Sequence, residues 1–151
     1  LPRVGDHLLL VVAPLLLLMP IIDFHKAFRL HLAFPPVEYT DTVHTSSALD
    51  TLGDDSICFV ISCGQVSGTV DFYIEESSDD GVSDSWVKVT GSDMPQIATN
   101  NQAKRVRALL NSRERYLRAK MTVAGGDAFA SVIALSQPTY TGDSTPCETN
   151  I

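Results

Sequence analysis

The side chains of this chain best suited to holding a metal or attacking a carbonyl are its histidines and cysteines. His7, His25, His31 and His44 all fall in the first third, and none stands at a zinc-ligand interval from a cysteine or a carboxylate. They read as ordinary surface or core histidines. Cys58, Cys63 and Cys147 form an odd set without a CxxC pair, so a disulfide framework is not expected. On one extended strand Cys58 and Cys63 would stand roughly 16 Å apart, beyond the reach of a disulfide. Small buried hydrophobes describe them better, and Cys147, in a polar tail, reads as a free thiol.

Oxygen ligands are densest at Glu75, Glu76, Asp79, Asp80 and Asp84. A loop of this kind can hold calcium. The spacing is not that of an EF-hand, and a solvated turn is the preferred reading. Nucleophile elbow, phosphate-binding glycine loop, HExxH and dinucleotide fingerprint are all missing from the sequence. Carboxylates adjacent in a turn do not supply the cross-cleft pair that glycoside hydrolysis needs. No catalytic residue, cofactor or metal site is therefore expected. Basic residues cluster instead: Lys104, Arg105, Arg107, Arg113, Arg115, Arg118 and Lys120 are seven of the eleven in the chain. Interleaved with Glu114, they suit an acidic protein surface or a solvated strand face better than phosphates.

The elements that would carry these residues are strands. Gly68 to Thr90 holds the clearest pattern: Val70, Phe72 and Ile74 alternate with Asp71, Tyr73 and Glu75, the period of two of a half-buried strand. Ser77 to Gly81 is rich in turn formers. Alternation resumes with Val87 and Val89 on one face and Trp86 and Lys88 on the other, predicting a hairpin. Ser56 to Cys63 is apolar on both faces, as in a central covered strand. Val37 to Val43 and Ser46 to Leu52 are weaker candidates, separated from that strand by a turn at Gly53, Asp54 and Asp55. Gly91 to Asn101 reads as a long loop.

Residues 103–121 conflict with themselves. Val106, Leu109, Leu110, Arg113 and Leu117 mark one side of a helix, yet Val106, Ala108 and Leu110, then Leu117, Ala119, Met121 and Val123, alternate as two strands around a turn at Asn111 to Glu114. Because the alternation runs on to Gly125 and Gly126, two strands are favoured. Phe129 to Leu135 closes the series, stopped by Pro138. Six to eight short strands predict an all-β fold, an antiparallel β-sandwich or jelly-roll-like domain.

A length of 151 residues suits one domain with its own core. The formal charge of −7 and a sequence pI near 4.8 argue against a general nucleic-acid binder. Four segments are expected: an apolar leader at 1–18, an N-terminal arm at 19–36, the sandwich at 37–138 and a polar tail at 139–151. The leader, broken by Pro14, reads as upstream sequence before a start at Met19, or as a signal peptide or anchor. It is short for a membrane span of about 20 residues, and no membrane partner is expected. Asp23 to Phe34 reads as a helix or a strand, ended by Pro35 and Pro36.

One ordered series remains: SSALDTLGDDSICFVISCG, then GTVDFYIEESSDDG with WVKV, then SRERYLRAKMTV and ASVIALSQP. From Thr45 to Pro138 this order resembles small structural head proteins of tailed bacteriophages. The resemblance implies a non-enzymatic decoration or cement protein on the outside of a capsid shell, with the major capsid protein as partner. A homo-oligomer, trimer or dimer, follows by analogy, with the virion as location. It suggests an interface of Phe24, Phe28, Leu30, Leu32 and Phe34 in the arm, with Arg113, Arg115, Arg118 and Lys120 as an electrostatic contact. Two alternatives stand beside it: a head-completion or tail-associated phage protein, and a secreted or surface β-sandwich that binds a carbohydrate or other ligand.

Overall fold

The computed structural model describes residues 27–139. In these, nine strands run in order: β1 (Arg29–Tyr39), β2 (Val43–Thr45), β3 (Leu49–Asp50), β4 (Asp54–Val66), β5 (Thr69–Ser77), β6 (Val87–Lys88), β7 (Gln102–Leu109), β8 (Tyr116–Ala124) and β9 (Ala128–Pro138). A single 3-10 turn, Leu110–Ser112, joins β7 to β8. The first sheet has the order β1-β9-β4-β7, and the second β2-β8-β5-β6, with β3 also paired to β8. Every pairing is antiparallel. The fold is an all-β sandwich.

Alternation places the core between the sheets. Ile57, Phe59, Ile61 and Cys63 of β4 and Val132 and Ala134 of β9 face Val70, Phe72 and Ile74 of β5 and Leu117, Ala119 and Met121 of β8. Phe59 and Phe72 meet across the layers with ring centroids 6.1 Å apart. Each such large apolar side chain contributes about 1.5–3 kcal/mol on burial, so this layer dominates stability. Cys63 is buried, Cys58 half-buried, and both are free thiols. Cys147, His7 and His25 lie outside the described residues.

Residues 103–121 resolve as two strands. β7 pairs with β4 from Ser56↔Leu109 to Cys63↔Gln102, and β8 pairs with β5 over its whole length. Local helix propensity yields to two sheets that bury Ala108 from one side and Leu117, Ala119 and Met121 from the other in a common core.

Three expectations need correction. Pro35 and Pro36 do not end the first element, and no separate arm reaches Pro36: β1 starts at Arg29 and runs through both prolines to Tyr39, paired with β9. As an edge strand it tolerates prolines, and its register shifts between Leu32 and Phe34 and between Phe34 and Val37 absorb them. Val37 to Val43 is accordingly split between β1 and β2. The expected hairpin survives as only two pairs, Glu75↔Lys88 and Glu76↔Val87, because beyond Lys88 the chain follows the edge of β5 only through separate bonds, from Val89 to Ile74, from Met94 to Phe72 and between Ile97 and Val70. Val87 is therefore 59% exposed while Val89 is buried, not its neighbour on one face. Asp54 and Asp55 belong to β4, leaving Gly53, at φ +82°, for the turn.

Candidate functional site

The two outer faces of the sandwich differ in what their charges do. On the second sheet, β8 turns Tyr116, Arg118, Lys120 and Thr122 outward, and the cross-strand register sets Glu75 opposite Arg118 and Tyr73 opposite Lys120. Glu75 accepts hydrogen bonds from Arg118 Nε at 2.8 Å and Lys120 Nζ at 3.1 Å. Burial pushes its carboxyl up, but the hydrogen bonds from Arg118 and Lys120 outweigh that and hold it below the usual carboxylate range. Arg113 pairs with Glu76 at 3.3 Å. Arg115 pairs with Asp50 at 2.6 Å, and that hydrogen bond leads the causes that pull Asp50 down to about 2. All four basic residues expected to contact a partner are thus paired within the chain, Arg118 and Lys120 sharing Glu75.

Aromatic rings on this face are also occupied. Arg118 stands 4.2 Å from the centroid of Trp86, and Lys88 4.6 Å from that of Tyr73. The acidic turn between β5 and β6 is held by its own backbone: Asp79 accepts from the amides of Val82, Ser83 and Asp84 and from the Ser83 hydroxyl. These bonds, the Ser83 hydroxyl first, pull Asp79 down to about 2. Among the described residues no group of three histidine, cysteine or acidic side chains is arranged to hold a metal.

The outer face of the first sheet is different. Cross-strand register builds two rows over all four strands: Leu30, Leu135, Cys58 and Arg107, then Leu32, Ile133, Val60 and Arg105. Leu30 is 65% and Leu32 62% exposed. Leu109 and Phe129, also exposed, extend the apolar surface at opposite ends. Beside Phe129 lies a shallow depression of about 200 Å³ lined by Pro36, Ser62, Gly64, Phe129, Ala130 and Ser131. Arg105 and Arg107 have no carboxylate partner among the described residues. This face is therefore an apolar strip bordered by two unneutralised guanidinium groups.

The expected interface residues are thereby sorted. Leu30 and Leu32 project from this face. Phe34 is buried, edge-on to Tyr39 at 5.7 Å, and belongs to the core. Phe28 is partly buried and makes contacts of its own, and Phe24 lies outside the described residues. Arg105 and Arg107 were read from the sequence only as part of the basic cluster suited to an acidic protein surface or a solvated strand face, and Ile133 and Val60 were not singled out. Their signal was present as alternation on β7 and as near-continuous apolarity in β4 and β9, but only the strand order shows that these residues share a face.

A further cluster was hidden by sequence distance. His31 Nε2 lies 3.2 Å from Ser136 Oγ, and Asp54 is salt-bridged to Arg29 at 3.2 Å. Serine, histidine and aspartate suggest nucleophilic catalysis, yet Ser136 is fully buried and Asp54 orients Arg29 instead of the imidazole. The cluster fastens the start of β1 to β4 and β9.

No protein family and no curated protein matches the chain. Among solved structures the chain has distant similarities. A chain from Bacillus endospore appendages, described as a novel family of disulfide-linked pili, has a TM-score of 0.40 at 11% identity, covering 74% of this chain and 88% of that one. PirA has a TM-score of 0.39 at 5% identity, covering 74% and 93%. CBM4 has 0.39 at 6% identity, covering 78% and 82%. These distant similarities carry no argument about function.

Proposed function

We propose that this chain is a non-enzymatic structural protein that attaches to a larger protein assembly through the outer face of the β1-β9-β4-β7 sheet. The observation that carries the reading is the pair of rows ending in Arg107 and Arg105, with Leu30 and Leu32 exposed at their other end. Leaving so much aliphatic surface in water beside unpaired cations costs solubility unless a partner covers it. The specific assembly follows from the sequence resemblance: a tailed-phage capsid shell, decorated and cemented from outside. Symmetry then repeats the contact, and many weak attachments sum to a strong one because later contacts are effectively intramolecular.

The same face argues for a different molecule as the occupant. Two copies stacked face to face about a two-fold axis along the strands would place Arg105 and Arg107 over the β1 leucines. An axis across the strands would bring β7 over β7, arginine against arginine. Neither arrangement sets a carboxylate over the arginines, because Glu38 of this face stands in register with Phe129, away from the Arg105 and Arg107 rows, so a surface with acidic groups beside apolar ones is the better complement.

The test is co-sedimentation of the full chain with shells assembled from the major capsid protein of the same phage. Saturable binding at a fixed ratio to shell subunits, lost when Leu30 and Leu32 are both changed to serine, is the expected result. Absence of binding by the folded wild-type protein would overturn the capsid reading and favour a surface β-sandwich with another ligand.

A further inference from the structure

The sandwich is open along one side, where the second sheet stops at the two-residue β6 and the first ends in edge strand β7. Between them lies a cleft of about 270 Å³, walled by residues 89–92 on one side and by residues 107–109 and 111–113 on the other. Its lining joins hydroxyl and amide side chains, Thr90, Ser112 and Asn111, to the exposed aliphatic Leu109. Two arginines also line it, and their states differ.

Arg113 is held by Glu76 at 3.3 Å, while the other oxygen of Glu76 accepts the Glu114 amide at 3.1 Å. That charge is satisfied. Arg107 has no hydrogen bond or ion pair among the described residues, so it gives the cleft one uncompensated positive charge. A planar guanidinium matches a carboxylate in two parallel hydrogen bonds, and hydroxyl and amide groups nearby can take the remaining lone pairs.

We propose that this cleft is a binding site for a single carboxylate side chain of a protein partner, an aspartate or glutamate flanked by apolar residues, with Arg107 as its principal contact. The surrounding charge selects for that form. A chain of formal charge −7 repels a run of phosphates or acids, whereas one carboxylate beside an aliphatic neighbour satisfies Arg107 and covers Leu109 together. The site shares Arg107 and Leu109 with the outer face proposed above and rests on that reading, but not on the partner being a capsid shell.

The experiment is a 1H–15N NMR titration of the full chain with the blocked tripeptide acetyl-Leu-Glu-Leu-amide. The neutral acetyl-Leu-Gln-Leu-amide and inorganic phosphate serve as comparison probes. The glutamate peptide is expected to shift the amides of Gly91, Asn111 and Ser112, with the glutamine peptide at least roughly tenfold weaker, as loss of a charge-assisted hydrogen bond requires. Arg107→Gln, an exposed substitution whose fold is checked by spectral dispersion, should abolish the shifts, and Lys104→Gln should leave them. Shifts that persist in Arg107→Gln, equal response to both peptides, response to phosphate alone, or no response to any probe would each overturn the proposal.

Discussion

The guanidinium of Arg118 lies over the indole of Trp86, 4.2 Å from the ring centroid, while donating to Glu75 on the opposite strand. One side chain thus neutralises a buried carboxylate on β5 and pins the segment entering β6. Arg118→Ala is expected to destabilise the domain by about 1–3 kcal/mol, since it leaves Glu75 with Lys120 alone and uncovers the indole. Arg118→Lys should recover part of this loss, because lysine restores charge but not the planar, two-donor geometry. Urea unfolding followed by the fluorescence of Trp86, the single tryptophan, measures both.

Gly81 lies against the Nε1 and Cδ1 atoms of the same indole. Its φ is +77°, and a Cβ there would come within 2.4 Å of Trp86 Nε1. Gly81→Ala combines a disfavoured backbone conformation with a collision, and a loss of about 1–3 kcal/mol is expected. A change in the Trp86 emission of the folded state should accompany it. Unchanged stability and emission would show that the turn between β5 and β6 repacks freely.

Phe34 separates an arm from a strand. A docking arm would leave the domain's stability untouched when truncated, whereas Phe34 is 4% exposed and packs edge-on to Tyr39. Phe34→Ala should therefore cost about 3–5 kcal/mol, while Leu30→Ser and Leu32→Ser should each change stability by no more than about 0.5 kcal/mol. Thermal unfolding of the three variants decides the point.

What the sequence showed and withheld follows from where each strand sits. Val70, Phe72 and Ile74 were legible because β5 is covered on one face, and the period of two survives in such a strand. Ser56 to Cys63 was legible as central from its apolarity on both faces, and it does lie between β9 and β7, but it is covered on one face only: Cys58 and Val60 stand on the open outer face. β1 was legible only as a helix or a strand: Leu30, Leu32 and Phe34 alternate with Arg29, His31 and Ala33, but a register shift between Leu32 and Phe34 turns Phe34 inward while the leucines stay outward, and the prolines look like a stop unless the strand is known to be at an edge. Glu75 was read as facing water from its place in the alternation. It does face outward, but Arg118 and Lys120 close over it, and a cross-strand pair of that kind depends on a register that no local pattern encodes. The apolar outer face of the first sheet was invisible for the same reason, being assembled from four strands whose spatial order differs from their chain order.

Stability should fall in two stages as the solution is acidified. Burial lowers the affinity of the His31 imidazole for a proton, with Asp54 opposing and Arg29 reinforcing that effect. The unfolded chain, with an ordinary histidine near pH 6.5, then binds more protons than the folded one. Stability must decline as pH falls below about 6.5, until the folded imidazole also titrates. A second decline belongs to the carboxylates. Glu75 is lowered, and Asp50 and Asp79 are drawn to about 2, so their contribution is complete above their unfolded values and is lost as pH drops from about 4 toward 2. Urea midpoints measured from pH 8 to pH 2.5 should show both stages. His31→Gln, which keeps a polar partner near Ser136, should remove the upper stage and leave the lower one. If the upper stage persists in that variant, another group is titrating, and the cluster of Arg29, His31, Asp54 and Ser136 is not what senses pH in that range.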